Sequence, residues 1–563
     1  MSSPRLRTQF ETLFEHFHGR DTDIRLEDIT EVLCCTRRNA RIVLNKLSEE
    51  GWIEWHPAAG RGNLSQLLFK RNQQDVSENL ARRYLEEGRI GQALNVFNRD
   101  VNKLAQVIQS YLGVQNVEGQ QVVRLPYYRP LSMLNPGKPN RRSEQNIIRQ
   151  IFSGLTKLDE DDILQPDLAH SWEALSSSHW RFYLRNGVRF HNGNFLQIQH
   201  IIDSILTLKQ IKTFGHIEQV TSPDPWVIDI KLNQPDWHLP FLFSESLAKI
   251  MPPESWRGED FDLLPMGTGP YRVVLNDDKR LVLEAYDGYF GYRPLVDKVE
   301  VWVIDEAYSG MVFPSLSNPI MSQRRGNDDV KLDPGCTYLL LNRKHGIVRN
   351  PEWAEYLSSV LNSLNLYRNL PEDQIVELGL LPAHGLKPGW HHSLPSRFPV
   401  VPKGKRELTI AYHAQHPLFP VMAKSIETVL NQDGIKVQFI KYEHIIDTPE
   451  LVDIWIKPMG IGSYREEAFA GWLLGYSDIA AMSREEDFSC WSHLVEKWRT
   501  EKDTPFPAKE LGKSLVESHQ IIPMFHCWLG VSKDHCGSLQ NAKCNALGWF
   551  DFSQVWLKPI INT

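Results

Sequence analysis

A short helical pattern, an abrupt turn and a second helical pattern fill residues 26–49 and constrain the fold more than any other stretch. Four apolar residues of the second pattern recur at i, i+3, i+4 and i+7: Ala40, Val43, Leu44 and Leu47. This spacing is typical of an amphipathic helix that buries one face. Thr36 stands before it as a predicted N-cap, because a threonine hydroxyl accepts hydrogen bonds from free backbone N–H groups. So tight a connection predicts two steeply crossed helices, a helix-turn-helix.

Two strand-like runs follow, at residues 52–55 and 65–69, and the loop between them contains Gly60-Arg61-Gly62. An arginine between two glycines can approach a phosphate or enter a minor groove, so the loop is predicted to be a wing. The distribution of charge along these residues agrees with DNA binding by the second helix and the wing. Residues 1–33 carry four Arg or Lys against seven Asp or Glu, net −3, whereas residues 34–71 carry seven against three, net +4. The positive half is the half expected to face DNA phosphates.

The predicted DNA contacts lie at the start of the second helix and in the wing. They are Thr36, Arg37, Arg38, Asn39, Arg41, Asn45 and Arg61. Arginine and asparagine present the donors that guanine and adenine edges accept. Arginines also occur on ordinary solvated helices, and some winged helices bind only protein, but the ordered set of cap, short turn, charged helix start and wing favours double-stranded DNA. Cys34 and Cys35 are expected to fill core.

Net charge, apolar runs and cysteine spacing exclude several other classes of protein. The chain has 563 residues and a net charge of −7, so any nucleic-acid contact must come from a local patch. The first 20 residues show no signal-peptide pattern, and no apolar run reaches about 18 residues. Its seven cysteines contain no C-x-x-C pair. We therefore expect a cytoplasmic protein with free thiols, no membrane segment, no metal and no cofactor.

Catalysis is not predicted. The histidine groupings are His391-His392, His413-x-x-His416 and His526. None has the glutamate spacing of a metalloprotease, and no nucleophile-elbow motif accompanies them.

Three segments are predicted from length and composition. Residues 1–72 form a winged helix-turn-helix domain, residues 73–121 a helical connector, and residues 122–563 one large α/β body. The connector would transmit movement or mediate self-association, and the sequence leaves this choice and the oligomeric state open.

Four stretches of the large body resemble bacterial solute-binding proteins of the oligopeptide, dipeptide and nickel class. They are residues 165–173, 180–193, 265–271 and 286–303, the third being Pro265-Met266-Gly267-Thr268-Gly269-Pro270-Tyr271. The resemblance implies a two-lobed fold of the type II periplasmic-binding-protein kind, with ligand enclosed at the hinge. The glycines of the third stretch are expected to form a tight, positively twisted turn and no dinucleotide loop.

The whole chain resembles the SgrR-type transcriptional regulators, which join a helix-turn-helix to a family 5 solute-binding domain. The matching stretches include Cys35-Thr36-Arg37-Arg38, Gly60-Arg61-Gly62, residues 127–131, residues 150–156 and residues 547–552. The resemblance implies a sensor of sugar-phosphate stress that activates a small regulatory RNA gene and represses its own gene. The alternatives are the solute carrier of a peptide or nickel transporter, which the missing export signal disfavours, and an enzyme, which no constellation supports.

The ligand is expected to be anionic. Peptide-binding relatives pair the peptide amine with an aspartate, and the corresponding stretch here, residues 453–467, lacks it, so a buried ammonium would be costly. Arginine forks suit phosphate oxygens of an anion such as a sugar phosphate. The predicted ligand contacts are Tyr127, Tyr128, Arg129, Arg141, Arg142 and Arg465, with at most one of the two tyrosines facing the cleft because strand side chains alternate.

Overall fold

The structure is a computed structural model of the chain that describes most of its residues. These are residues 4–58, 63–71, 73–86, 92–93, 96, 113–117, 119–303, 329–392, 400–404, 406–443, 446, 448–475, 477–531 and 539–558. The chain divides into two compact units. The first lies within Met1–Leu112, and the second within Gly113–Val303 and Val312–Thr563. Among the helices that the structure describes, none is both long and apolar enough to span a bilayer.

The described part of the first unit contains four helices and a small antiparallel sheet. In chain order its elements are α1 (Pro4–His16), β1 (Thr22–Ile24), α2 (Leu26–Val32), α3 (Arg37–Glu49), β2 (Ile53–His56), β3 (Ser65–Phe69) and α4 (Gln73–Glu86). The strands pair antiparallel in the order β1-β3-β2. This arrangement confirms the predicted helix-turn-helix followed by a wing hairpin.

The core of the first unit forms on the predicted face of α3. Ala40, Val43, Leu44 and Leu47 are all buried, together with Leu13 of α1. Aromatic edges complete this core. The ring centroid of Phe10 lies 5.6 Å from that of Trp52 and 6.0 Å from that of Phe69, both with edge-to-face geometry. The helix pair is therefore held by one continuous apolar cluster.

The second unit begins earlier than the sequence indicated. Gly113–Val117 is a strand, β4, and it pairs antiparallel with β5 (Gln120–Tyr127). The predicted boundary at residue 121 therefore falls inside a sheet, because backbone pairing and not composition makes this polar stretch a strand. Of the predicted connector, α4 is helical through Glu86, and most of residues 87–112 lie outside the described residues.

The first lobe of the second unit consists of residues 113–303 and 539–558. After β5 come α5 (Arg142–Ile151), β6 (Thr156–Leu158), β7 (Leu164–Pro166), β8 (Ala169–Ser176), β9 (His179–Leu184), α6 (Ile198–Leu208), β10 (Ile217–Asp224), β11 (Val227–Leu232), α7 (Leu239–Leu242), β12 (Tyr271–Asn276), β13 (Arg280–Ala285) and β14 (Lys298–Val303). A five-stranded sheet, β12-β13-β14-β5-β4, and a four-stranded sheet, β10-β11-β9-β8, form its frame. The β14–β5 pair is parallel.

The second lobe consists of residues 329–531. Its elements are β15 (Asp329–Leu332), β16 (Thr337–Leu341), α8 (Pro351–Val360), α9 (Ser363–Arg368), α10 (Glu372–Leu378), β17 (Leu381–Pro382), β18 (Glu407–His413), α11 (Leu418–Gln432), β19 (Lys436–Tyr442), β20 (Ile454–Pro458), α12 (Ala468–Gly475), α13 (Ser477–Met482), α14 (Glu485–Thr500), α15 (Ala508–Glu517), β21 (Ile521–His526) and β22 (Trp528–Val531). A six-stranded mixed sheet, β17-β21-β16-β20-β18-β19, is its centre.

The first lobe is built from two separate stretches of the chain. The last strands, β23 (Leu539–Gln540) and β24 (Trp556–Leu557), return to the first lobe, where Trp549 and Phe552 share its core with Leu125. Strands β15 and β22, at the two ends of the second lobe, pair with each other.

Close packing explains the glycines of the third resembling stretch. A Cβ at Gly267 would lie 2.1 Å from the carbonyl oxygen of Ile151, and one at Gly269 would lie 2.5 Å from the carbonyl carbon of the same residue. Neither glycine has a positive φ, so the expected positively twisted turn is wrong. The backbone approaches the end of α5 there, and Gly269 N donates to Ile151 O at 2.8 Å.

Candidate functional site

The outer face of α3 carries the predicted DNA contacts. Arg38, Arg41 and Asn45 are exposed, and Asn39 is half-buried. Residues three, four and seven apart in a helix lie on one side, so Arg38, Arg41 and Asn45 form a single surface opposite the buried face. Two permanent charges and an amide are thus presented together.

Thr36 holds the start of this helix. Its hydroxyl oxygen accepts from the backbone N–H of Asn39 at 3.3 Å, which confirms the predicted N-cap. The cap satisfies one of the free donors at the helix start and leaves the hydroxyl oxygen engaged with the protein. Thr36 therefore fixes the direction in which the following side chains point.

Arg37 points toward the neighbouring helix. Its Nη2 lies 2.5 Å from Glu27 Oε1 of α2, and the side chains are 67% and 50% exposed. The pair is a surface contact between the two helices of the motif. Arg37 is consequently separated from the surface that Arg38, Arg41 and Asn45 share.

The structure describes the turn between α2 and α3 completely and the wing only in part. Cys34 has φ +46° and is exposed, so the expectation that it fills core is wrong; the left-handed conformation of the tight turn directs its side chain to solvent. The wing strands are present, and Ser65 Oγ accepts from Ala58 N at 3.0 Å. Arg61, the predicted wing contact, lies outside the described residues.

Arg129, predicted to bind ligand, is buried and forms an ion pair with a carboxylate. Arg129 and Glu144 form a two-pronged ion pair, one arm being Nη2 to Oε2 at 2.9 Å, and their side chains are only 4% and 3% exposed. Burial alone would raise the pKa of Glu144, but Arg129 outweighs it and the pKa is lowered. The guanidinium is thus occupied by a partner fifteen residues away on α5.

The two predicted tyrosines have different surroundings. Tyr127 is buried, its hydroxyl lies 2.5 Å from Ser143 Oγ, and burial raises its pKa. Tyr128 is half-buried, with its ring centroid 4.6 Å from that of Tyr127. Burial opposes ionisation of Tyr128, yet Arg141 and then Arg129 lower its pKa overall. Tyr128 therefore lies in a positive field, and Tyr127 belongs to the core.

Two further predicted arginines are also paired. Arg142 Nη2 lies 2.5 Å from Asp333 Oδ2 and donates to the carbonyl of Met459 at 3.1 Å, so it joins the two lobes. Arg465 Nη2 lies 2.5 Å from Glu467 Oε1, and its guanidinium lies 4.8 Å from the ring centroid of Phe241. Both cations are therefore neutralised by carboxylates, Arg142 by a residue 191 positions away and Arg465 by a residue two positions away.

Arg141 is different, because among the described residues it forms no ion pair with a carboxylate. It precedes α5 and reaches across to the second lobe, where Nη1 lies 3.4 Å from His413 Nε2 and 3.5 Å from Gln415 Oε1. Burial, with Arg141 as the next cause, lowers the pKa of His413 to about 3. The pKa of His416 is lowered for the same two reasons.

A positive surface between the lobes results from these contacts. It consists of Tyr128, Arg141, His413, Gln415 and His416, and we call it the Arg141 surface. The structure places Tyr127, Tyr128, Arg129 and Arg141 close together, whereas Arg142 pairs with Asp333 and Arg465 with Glu467. Sequence reasoning missed His413 and Gln415 as neighbours; the His-x-x-His spacing was visible but indicated no role. Within the described chain, no group of three His, Cys, Asp or Glu side chains could hold a metal ion.

Two family models match the chain in separate regions. Residues 5–119 match "Sugar transport-related sRNA regulator N-term", and residues 164–351 match "Bacterial extracellular solute-binding proteins, family 5 Middle". Among solved structures, OppA of Burkholderia pseudomallei covers 79% of this chain and 100% of its own, with TM-score 0.62 and 15% identity. DppA of Helicobacter pylori, in complex with the peptide STSA, covers 78% and 98%, with TM-score 0.62 and 17% identity. These similarities confirm the predicted solute-binding fold.

Full-length relatives are more similar in sequence. The "HTH-type transcriptional regulator SgrR" of Pectobacterium atrosepticum is 35% identical over 569 residues, covering 99% of this chain and 100% of the relative. The protein of the same name from Yersinia enterocolitica is 34% identical over 562 residues, with the same coverage. Both lobes and the winged unit are included in these matches, so the alternative of a transporter's solute carrier is less supported. The chain therefore belongs to the family of SgrR HTH-type transcriptional regulators.

Proposed function

We propose that this regulator binds double-stranded promoter DNA by placing α3 in the major groove. The observation that carries the proposal is the shared exposed surface of Arg38, Arg41 and Asn45, opposite a fully formed apolar face. Arginine donates two hydrogen bonds to the O6 and N7 atoms of guanine, and asparagine pairs in a comparable way with adenine. Arg37, Asn39 and the wing residue Arg61 are proposed to contact the phosphates that flank these bases.

Binding is tested with the full-length protein and a labelled fragment of the region upstream of its own gene. Joint replacement of Arg38 and Arg41 with alanine is expected to abolish specific retardation at moderate salt, because two base-reading forks are lost. Arg20→Ala is the matched control, since Arg20 is exposed in the same unit but lies outside α3. Unchanged affinity in the double variant, with unfolding unaffected, would refute the assignment of α3.

The ligand of the second unit is proposed to be an anionic metabolite, with a sugar phosphate as the first candidate. Arg141 supports this choice, because it lies between two lobes and has no carboxylate ion pair within the part of the chain that the structure describes. Such a cation is suited to a ligand that brings its own negative charge. Tyr128 and the neutral rings of His413 and His416 supply further polar atoms around it. The other predicted arginines add to the positive electrostatic potential, but each already forms an ion pair with a carboxylate.

Thermal shift distinguishes the ligand classes, since a ligand that binds only the folded state raises the melting temperature. Glucose 6-phosphate, inorganic phosphate, glucose and a tripeptide are the probes. A shift with the sugar phosphate that disappears in Arg141→Ala is expected, with Lys279→Ala, an exposed lysine of the same lobe, as the control. A shift of equal size in Arg141→Ala would refute the site.

Ligand binding would regulate transcription by favouring one of two states of the second unit, which requires different affinities for the two. The family model named for sugar transport and regulatory RNA supports a small RNA gene as the activated target. We propose the regulator's own gene as a second, repressed target, and the cytoplasm as the compartment in which the protein acts. Reporter fusions to both promoters, measured with and without sugar-phosphate accumulation, test this. A response that persists after deletion of the regulator's gene would contradict it.

A further inference from the structure

One apolar side chain interrupts the polar surface of α3. Ile42 is 45% exposed, whereas the other apolar residues of this helix, Ala40, Val43, Leu44 and Leu47, are at most 4% exposed. A branched side chain at a solvent-facing helix position gives less helix stability than lysine, glutamate or alanine would. Isolated exposed apolar residues are common, so the position of Ile42 decides whether this one matters.

Ile42 lies in the middle of the proposed DNA surface. Arg38, Ile42 and Asn45 occupy positions i, i+4 and i+7, and such residues follow one another along one side of a helix. Ile42 is therefore between the arginine and the asparagine proposed to read base edges. It also lies within the first two turns of α3, the part of a recognition helix that meets bases in helix-turn-helix proteins.

We propose that Ile42 determines specificity by packing against the C5-methyl group of a thymine in the major groove. The inference rests on the proposed insertion of α3. Among the four bases, only thymine presents a methyl group in this groove. The other base edges there are polar, and pairing any of them with isoleucine would leave a donor or acceptor without a partner.

The contact would add selection at a base step between those read by Arg38 and Asn45. Arg38 presents hydrogen-bond donors for guanine, and Asn45 presents an amide for adenine. Along the helix the surface therefore offers a polar contact from Arg38, an apolar contact from Ile42 and a second polar contact from Asn45. The Cα atoms of Arg38 and Asn45 are about 10 Å apart at 1.5 Å per helical residue, a length that spans about three base pairs. The recognised site is therefore expected to contain a thymine within about two base pairs of a guanine.

The experiment begins with selection of bound sequences from a random duplex library by the full-length protein. Each thymine of the selected site is then replaced singly by deoxyuridine, which removes only the methyl group and leaves the protein unaltered. Affinities are measured for wild type and for Ile42→Ala. Leu175→Ala serves as the matched control, because Leu175 is 44% exposed but lies in the second unit.

The expected result is one thymine position at which loss of the methyl group weakens wild-type binding about fourfold, the effect of burying one methyl group. Ile42→Ala should bind the thymine and deoxyuridine sites equally at that position, and Leu175→Ala should behave as wild type. Wild-type insensitivity at every thymine, or undiminished sensitivity in Ile42→Ala, would overturn the inference while leaving DNA binding intact. Failure to select any sequence would instead overturn the proposed function, and the inference with it.

Discussion

Arg37 and Glu27 form an ion pair, with Nη2 and Oε1 2.5 Å apart, that ties the first residue of α3 to α2. The side chain of Arg37 is 67% exposed and that of Glu27 is 50% exposed. Because water screens such a pair, it contributes only about 0–1 kcal/mol to stability. The pair matters because it sets the direction of the Arg37 side chain. Arg37 is held on the flank of the helix, while the next arginine, Arg38, is left on the outer surface with Arg41 and Asn45.

The two adjacent arginines are therefore expected to differ in effect. Arg38→Ala should weaken specific DNA binding by about 1–3 kcal/mol and relax the preference at one base pair. Arg37→Ala should weaken binding to all sequences by a smaller factor, as loss of a phosphate contact does. Fluorescence anisotropy with specific and scrambled duplexes measures both. Equal loss of sequence preference in the two variants would contradict the distinction.

The N-cap of α3 gives a prediction about stability. Thr36→Ala should lower the free energy of unfolding of the first unit by about 1 kcal/mol, because the free N–H of Asn39 loses its acceptor. Thr36→Ser keeps the hydroxyl and should stay close to wild type. Urea unfolding of the full-length chain, followed by signals of the first unit such as those of Trp52, checks the comparison. An alanine variant as stable as the serine variant would show that the cap contributes nothing.

The buried pair in the second unit predicts a larger loss. Arg129→Met leaves Glu144 charged and without its partner at 3% exposure, and about 3–5 kcal/mol of stability should be lost. Adding Glu144→Gln removes the remaining charge and should recover part of that loss. Arg141→Ala, by contrast, should leave unfolding nearly unchanged. Denaturant titration of the three variants tests this, and a mild effect of Arg129→Met would contradict the structural role.

Acidity should destabilise the second unit partly through His413. The folded pKa of about 3 lies below the unfolded value of about 6.5, so the folded state binds fewer protons between these values. The free energy of unfolding should therefore fall as pH drops below about 6.5, by at most about 1.4 kcal/mol per pH unit for this group. His413→Gln should lessen the slope. Melting temperatures at pH 7.5 and 5.5 test it, and an unchanged slope would refute the contribution.

The helices of the first unit were predictable from residues close together in sequence. The i, i+3, i+4, i+7 spacing of Ala40, Val43, Leu44 and Leu47 requires one buried face wherever the helix packs, and Thr36 needed only the next three residues to act as a cap. The exposure of Cys34 was not predictable in this way, since it depends on the left-handed conformation of one turn residue.

The ligand site required information that is distant along the chain. Arg129, Arg141 and Arg142 look alike in sequence, yet Glu144 neutralises the first and Asp333, from the other lobe, neutralises the third. Of these three arginines, Arg141 alone has no carboxylate ion pair among the described residues, and it faces the neutral side chains of His413 and Gln415. Strand β4 was missed for a similar reason, because its partner, β5, determines its conformation.

The most direct test of the account is the affinity of the full-length protein for its selected duplex, measured by anisotropy from low to moderate salt beside a scrambled duplex. We predict specific binding that weakens steeply with salt and is lost when Arg38 and Arg41 are both alanine, while the protein remains folded. Binding that is equal for specific and scrambled duplexes, or unaffected by the double substitution, would contradict the assignment of α3 as the reader of promoter DNA.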